Sequence, residues 1–534
     1  MNDFRYICKK FWIMDHMRYP IGIQTFSKII KGGYTYVDKT AYIKELLSQG
    51  QFIFLSRPRR FGKSLLLSTL EAYFEGYRDL FKGLAVDSMD LDWTPSPVLR
   101  FDFNAENFSL ENGLECLLKR LLREYEEKYG ISGVEDTIAG RFSQLIRKAT
   151  ETTGRNVVIL VDEYDKPLLD IEENKELFEK NQRILKSFFG NLKSMDRYIR
   201  FAFITGVARF SKVSIFSDLN NLKDISMENT YADICGWTED ELVGRFRSGI
   251  MSLAEEREEG FEATLAALRD YYDGYLFTPK GSRLYNPFSV LNALDSRTIK
   301  PYWFETGTPT FLARWVRNNG IDPREINGVE ATYDELVSVG FDELDPVPLM
   351  FQTGYLTIWN YDAESDLYEL RFPNREVEIG FFKHLLRWYA PLTSTRGSGL
   401  EFTAFKKDLA KGEIGSFMER LATLLKDLPG EDHCESTYRA VTYLLTVLCG
   451  VPAVAEHHGY KGRSDIEVCT GRFVYVFEFK YNRSVAEAMT QIEDRDYAGR
   501  YAKDPRKVYL IAANYDERKE KRGLQYEIAE YSRQ

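Results

Sequence analysis

The chain has 534 residues, 44% hydrophobic and 28% charged, with a formal net charge of −10. That length exceeds what one core supports, so two to four domains are expected, and no run approaches the roughly 18 apolar residues of a membrane helix. The charge balance argues against a uniformly basic nucleic-acid coat but leaves room for a local positive groove. Six cysteines without C-x-x-C spacing, and histidines whose one close pair is His457 and His458, argue against zinc and disulfide frameworks. The N-terminal FWIM stretch is shorter than the ~7–15 apolar residues of a secretion signal, so a cytoplasmic location is expected.

In chain order, QFIFLS reads as a strand, RPRRFGK as a loop and SLLLSTLEAYFEGY as a helix. Further apolar runs at 98–103, 156–165 and 200–206 alternate with charge-rich helical segments such as 109–129 and 171–195, which predicts a parallel α/β sheet over residues 1–225. Residues 226–345 read as mainly helical, with a helix start at WTEDELVGRF and a turn-rich interruption at 272–287. Residues 346–425 combine a hairpin-like stretch with amphipathic helices. Residues 426–534 switch to a helix over 435–449, three strand-like runs, and a helix between the second and third.

Gly62, Lys63 and Ser64 fit the second half of a phosphate loop, in which a helix N-terminus and a lysine meet phosphate and a hydroxyl meets Mg²⁺. The general template puts its first glycine at Arg57, and arginine lacks that backbone freedom. Arg57, Arg59 and Arg60 are read either as phosphate contacts or as a solvated basic loop. A second run, Val158 to Val161, delivers Asp162 and Glu163 to a strand end, where α/β ligand crevices lie. Asp162 is expected to hold Mg²⁺ and Glu163 to accept a proton from the attacking water. Thr205, ending the third strand, is a candidate phosphate sensor, with Arg209 behind it.

In RFVYVFEFK (472–480), alternation puts Val474, Val476, Glu478 and Lys480 on one strand face. If Gly471 and Arg472 form a two-residue turn, as a type II′ turn with glycine first would favour, Asp465 lies opposite Glu478. Facing acids repel, and a hard divalent cation, Mg²⁺ or Mn²⁺, would reverse that penalty while Lys480 orients water. Ser484 and Glu487 have capping-box spacing for a helix running to about residue 502.

The strings YVDKTAYIKELL, FLSRPRRFGKSLLLSTLEAYF, VILVDEYDKP, ITGVARFSKVSIFSDLNNLKDIS and NPFSVLNAL resemble the bacterial AAA-ATPase-like family, usually followed by a nuclease-like domain. The resemblance implies ATP with Mg²⁺ and makes the arginine-containing loop the usual form. GRSDIEVC and RFVYVFEFK resemble the PD-(D/E)XK nuclease signature, which implies a restriction-endonuclease-like α/β domain with Asp465, Glu478 and Lys480 as its site. By the same resemblance Glu435 and Glu456 are supporting acids, Glu435 as a further metal ligand, and Gln491 and Tyr497 a pair facing substrate. Together these readings predict a phosphate-loop NTPase sheet, a helical middle and a nuclease-like end, acting on DNA or RNA. The alternative is a nucleotide-dependent scaffold that binds nucleic acid or protein without cutting. A homo-oligomeric ring is a further expectation, for which the sequence singles out no arginine.

Overall fold

The computed structural model describes residues 17–534 except 134, 172–173, 211–214, 217–218, 304–311, 313–315, 317–320, 338–345, 390–397, 427, 429–433, 452, 456–457, 460–461, 519–521 and 533–534. Packing divides the chain into two compact units, residues 1–306 with 330–376, and residues 307–329 with 377–534. This grouping differs from the four segments read from composition, because 330–376 packs with the first unit and 307–329 with the second. Among the described residues, no helix is long and apolar enough to cross a membrane.

The first unit is built on β1 (Phe52–Ser56), β2 (Val98–Asp102), β3 (Val157–Asp162), β4 (Ile199–Gly206) and β5 (Lys223–Asp224). They form one sheet in the order β2-β3-β4-β1-β5, with every pairing parallel. β1 and β3 are buried along their whole length, as strands covered on both faces must be. Helices Lys63–Phe74, Gly113–Lys128, Ile138–Thr153 and Lys175–Ser194 occupy the crossovers. Phe101 of β2 meets Phe142 and Phe188 edge-on, and those two rings stack 4.3 Å apart.

The middle region supplies helices Glu239–Glu256, Phe261–Tyr272 and Pro287–Ser296, packed around Trp237, Leu242, Phe246, Leu268 and Tyr272. The first begins where WTEDEL predicts, because the Thr238 hydroxyl accepts from the Glu241 N–H while Glu241 reaches back to the Thr238 N–H. Gly274, in the interruption, has φ +102, and a Cβ there would lie 2.0 Å from the Pro373 carbonyl oxygen, so only glycine fits. β6 (Val329–Thr332), β7 (Thr357–Asp362) and β8 (Leu367–Arg371) form a small sheet in the order β6-β8-β7.

The second unit carries β9 (Ala453–Ala455), the short pair β10 (His458–Gly459) and β11 (Gly462–Arg463), then β12 (Ile466–Cys469), β13 (Phe473–Tyr481), β14 (Lys507–Asp516) and β15 (Gly523–Glu530). Its main sheet has the order β15-β14-β13-β12-β9. β13 and β14 are parallel and the other neighbours antiparallel. Two outer strands, β9 and β15, thus join the three expected runs. The helix Val485–Asp494 ends eight residues before the expected limit near 502. The reason is a Schellman closure: Asp496 takes φ 50, its N–H reaches the Glu493 carbonyl, and the Tyr497 N–H reaches the Ile492 carbonyl.

Candidate functional site

At the C-terminal end of the first sheet, Gly62 adopts φ +100 and launches the helix Lys63–Phe74, which aims the helix N-terminus at the loop. Lys63 is buried; its Nζ donates to the Arg57 carbonyl at 2.8 Å and the Pro58 carbonyl at 3.2 Å. The same Nζ lies 3.1 Å from Glu163 Oε1. Glu163 holds φ 53, a backbone conformation unfavourable for a side chain of this kind, immediately after the Asp162 strand end.

Because β4 lies between β1 and β3, Thr205 sits between the loop strand and the acidic strand. Its hydroxyl is 3.0 Å from Asp162 Oδ1, and the nearby Ser64 hydroxyl acts to lower the Asp162 carboxyl. Asp162 Oδ2 is buried with no hydrogen-bond partner among the described residues, Arg100 standing 3.8 Å away. Burial, then the neighbouring Glu163 charge, pushes the Asp162 carboxyl up from its ordinary range. A lysine, a hydroxyl and an orphaned carboxylate oxygen around a helix N-terminus fit Mg²⁺ and a nucleotide phosphate.

The arginines divide. Arg57 is 1% exposed. Its guanidinium donates to the carbonyls of Ser56, Ser226, Tyr231 and Ala232 and lies 4.3 Å from the Phe277 ring centroid. Of the two alternatives for Arg57, phosphate contact or solvated loop, the structure shows neither: the side chain ties the loop to residues 226–232. Arg57 is also absent from the positive-φ residues, which in this loop are Arg60 and Gly62, so the template glycine is not needed at 57. Arg59 is partly exposed and its carbonyl accepts from Trp303 Nε1; Arg60 is exposed over the Phe288 ring. Arg209 pairs with Asp224, and both line a cavity of about 130 Å³ that Arg57, Pro58 and Gln352 share but Lys63 and Asp162 do not. Replacing Arg57 by leucine leaves those carbonyls unpaired and is expected to cost ~3 kcal/mol, seen as a lower urea midpoint.

Asp165 was not singled out by the sequence, although it lies in the same VDEYD string. It is fully buried, and its Oδ2 accepts from the Val207 and Ala208 N–H groups at 2.9 and 2.6 Å, fixing the chain just after Thr205. Burial, then Glu163, raises its carboxyl from 3.8 to about 7. The folded state therefore takes up a proton between those values, so this stabilisation is complete below pH 3.8 and is lost as pH rises through about 7. Asp165→Asn is expected to flatten that part of the stability profile, which melting temperature against pH measures.

In the second unit, Ile466 pairs Phe477 and Cys469 pairs Val474, a register that sets Asp465 opposite Glu478 as expected. The two-residue turn forms, since the Thr470 N–H reaches the Phe473 carbonyl at 2.8 Å. Gly471 does not adopt positive φ, however, so the turn is not type II′. Instead the Thr470 hydroxyl accepts the Phe473 N–H at 2.9 Å and holds the corner.

Val474 and Val476 pack under the helix Val485–Asp494, with Ala488, Ile492 and Tyr497. Glu478 and Lys480 continue that face: Lys480 Nζ donates to Glu478 Oε1 at 2.6 Å. Glu478 Oε2 is buried without a hydrogen-bond partner among the described residues. Burial, then the Asp465 charge, pushes Glu478 up to about 7, with Lys480 acting in the opposite direction. Gln491 Nε2 donates to the Tyr497 hydroxyl at 3.0 Å, and both Glu478 and Asp465 act electrostatically on Tyr497. The Schellman closure is what turns Tyr497 back toward Gln491.

Two arginines missing from the sequence reading complete this site. Arg439 Nη1 is 2.9 Å from Asp465 Oδ1, and Arg324 Nη1 donates to the Asp465 carbonyl at 3.0 Å. Arg439 follows Glu435 by one helical turn, a spacing that could have flagged it; Arg324 lies about 140 positions away and carried no signal. Asp465 Oδ2 accepts the Phe479 N–H at 2.8 Å. Glu435 Oε1 lies 4.0 Å from Arg439 Nη1, and its charge, like that of Asp465, acts to raise the Glu478 carboxyl. Among the described residues no three acidic, histidine or cysteine side chains form a metal cluster. Glu456 lies outside the described residues. Two facing carboxylates with one orphaned buried oxygen still fit a hard cation that takes its other ligands from water or substrate.

The family model described as "Predicted AAA-ATPase" matches residues 20–216, and that of the "PD-(D/E)XK nuclease superfamily" matches residues 433–524. A curated relative, the "Uncharacterized protein in vnfD 5'region" of Azotobacter chroococcum mcd 1, is 36% identical over 513 residues, covering 94% of this chain and 97% of that one. With the lysine loop, the acidic strand end and the carboxylate hairpin each inside a matched segment, the chain belongs to the AAA-ATPase-like family and carries a C-terminal PD-(D/E)XK nuclease superfamily domain.

Proposed function

We propose that the first unit binds and hydrolyses ATP with Mg²⁺, that the second cleaves DNA or RNA with Mg²⁺ or Mn²⁺, and that the nucleotide state regulates cleavage. The observation that carries this reading is the hairpin register, which opposes Asp465 to Glu478 and extends the Glu478 face to Lys480. A divalent cation supplies Lewis acidity toward phosphate at each site when bound. Lys63 would hold the nucleotide phosphates, Ser64 and Asp162 would hold Mg²⁺, Glu163 would take the proton of the attacking water, and Thr205 would sense the outer phosphate. In the hairpin, Asp465 and Glu478 hold the ion, Lys480 orients water at the scissile phosphate, and Gln491 with Tyr497 lines the approach of the substrate backbone.

A paired assay of ATP turnover and cleavage in wild type, Lys63→Ala and Asp465→Ala tests the reading. Lys63→Ala should lose turnover and change cleavage; Asp465→Ala should lose cleavage and keep turnover. Unchanged cleavage in Lys63→Ala would remove the regulatory link. The occupation of both Asp465 oxygens by Arg439 and Phe479 favours a second reading, a nucleotide-dependent binder that does not cut. Nucleotide-dependent retention of nucleic acid with no product under either ion would select it.

A further inference from the structure

Arg439 has no place in the motif logic, yet it occupies the acid that the motif makes central. Its guanidinium gives Asp465 one hydrogen bond, to Oδ1, since Oδ2 is already held by the Phe479 N–H. Arginine binds a carboxylate most strongly through two parallel N–H bonds. The same unit shows that alternative nearby: Arg324 donates to Asp322 through Nε, 2.8 Å from Oδ1, and through Nη2 to Oδ2. Arg439 Nε, in contrast, is buried and has no hydrogen-bond partner among the described residues. A second acid, Glu435, lies 4.0 Å from Arg439 Nη1 on the same helix, and the Arg439 side chain is 23% exposed. The guanidinium is thus singly tethered, incompletely satisfied and within reach of solvent.

We propose that Arg439 is an exchangeable cation of the hairpin, resting on the metal-site reading above. In the metal-free protein it neutralises Asp465 Oδ1, the oxygen a hard cation needs. Arrival of a doubly charged ion repels the guanidinium and competes for that oxygen, so Arg439 leaves Asp465. Its planar fork then binds a phosphate oxygen of the nucleic acid, with which it can form the paired bonds Asp465 denied it. Metal occupancy and backbone recognition are in this way coupled through one side chain, with no bond made or broken.

The test measures Mn²⁺ binding to the full-length protein by electron paramagnetic resonance without nucleic acid, for wild type, Arg439→Met, Arg439→Lys and Asp465→Ala. Fluorescence anisotropy then follows labelled DNA duplex and RNA of the same sequence, with and without Ca²⁺ in place of the cleavage-supporting ion. Arg439→Met is expected to bind Mn²⁺ about tenfold more tightly, the loss of one charge-assisted competitor. Wild type should gain nucleic-acid affinity on adding Ca²⁺, Arg439→Met should not, and Arg439→Lys should recover part of the gain. Unchanged or weaker Mn²⁺ binding in Arg439→Met, with Asp465→Ala losing the ion, overturns the exchange and leaves the metal site standing. Mn²⁺ binding that survives in Asp465→Ala overturns both. Melting curves identify a variant that has unfolded, and in that case Arg439→Lys decides by the same two readouts.

Discussion

Lys480→Ala is expected to lower metal-dependent cleavage on the order of 10³-fold, the scale of losing one preorganised charge at a reacting centre. Lys480 is buried and donates to Glu478 Oε1 at 2.6 Å and to the Phe479 carbonyl at 3.2 Å, so its ammonium is held at the carboxylates rather than swung through solvent. Removing it would delete the group proposed to orient water. It also deletes the interaction that draws the Glu478 carboxyl down. Glu478 then holds its proton to higher pH, so the acid limb of the Mn²⁺-binding profile should move upward. Rate and Mn²⁺ binding, both followed against pH, separate the two effects. Lys480→Arg should not restore the rate, since a planar fork does not replace a compact ammonium in a buried slot. Cleavage at the wild-type rate in either variant would remove Lys480 from the chemistry.

Lys63→Ala is expected to reduce ATP turnover by at least about 10²-fold and to weaken Mg·ATP binding. The reason lies in what Lys63 touches: two loop carbonyls and Glu163, which it would exchange in part for phosphate oxygens. Glu163→Gln separates binding from chemistry. It keeps the side-chain volume but cannot take a proton, so it should retain nucleotide while losing turnover, and equilibrium binding with single-turnover kinetics distinguishes the pair. Should Lys63→Ala turn over ATP at the wild-type rate, the phosphate site lies elsewhere.

What could be read in advance follows from range. The strands β1, β3 and β4 and the helix starts at Lys63 and Glu239 depend on local apolar runs and caps, and all appear in the sequence. The Asp465–Glu478 opposition was legible because a two-residue turn and a period of two leave one register. The turn's type was not, since Thr470, outside the two corner residues, supplies the bonds that glycine was expected to make unnecessary. Strand order was hidden: nothing local says that β4 separates β1 from β3 and so brings Thr205 to Asp162. The role of Arg57 depends on carbonyls at 226–232, and that of Arg324 on the grouping of 307–329 with the C-terminal unit. The pairing of Glu435 with Arg439 was legible only as a one-turn spacing, since nothing local says that Arg439 also reaches Asp465.

The buried Arg57 bears on how the loop meets its ligand. A glycine-opened loop is free to wander until phosphate orders it, and that ordering opposes binding. Here the entrance is already anchored by four carbonyl contacts and an aromatic face, so much of the conformational entropy is surrendered during folding rather than at nucleotide capture. Restoring the general template with Arg57→Gly would therefore loosen a preorganised cradle, and the apparent repair should make the loop slower to settle around phosphate.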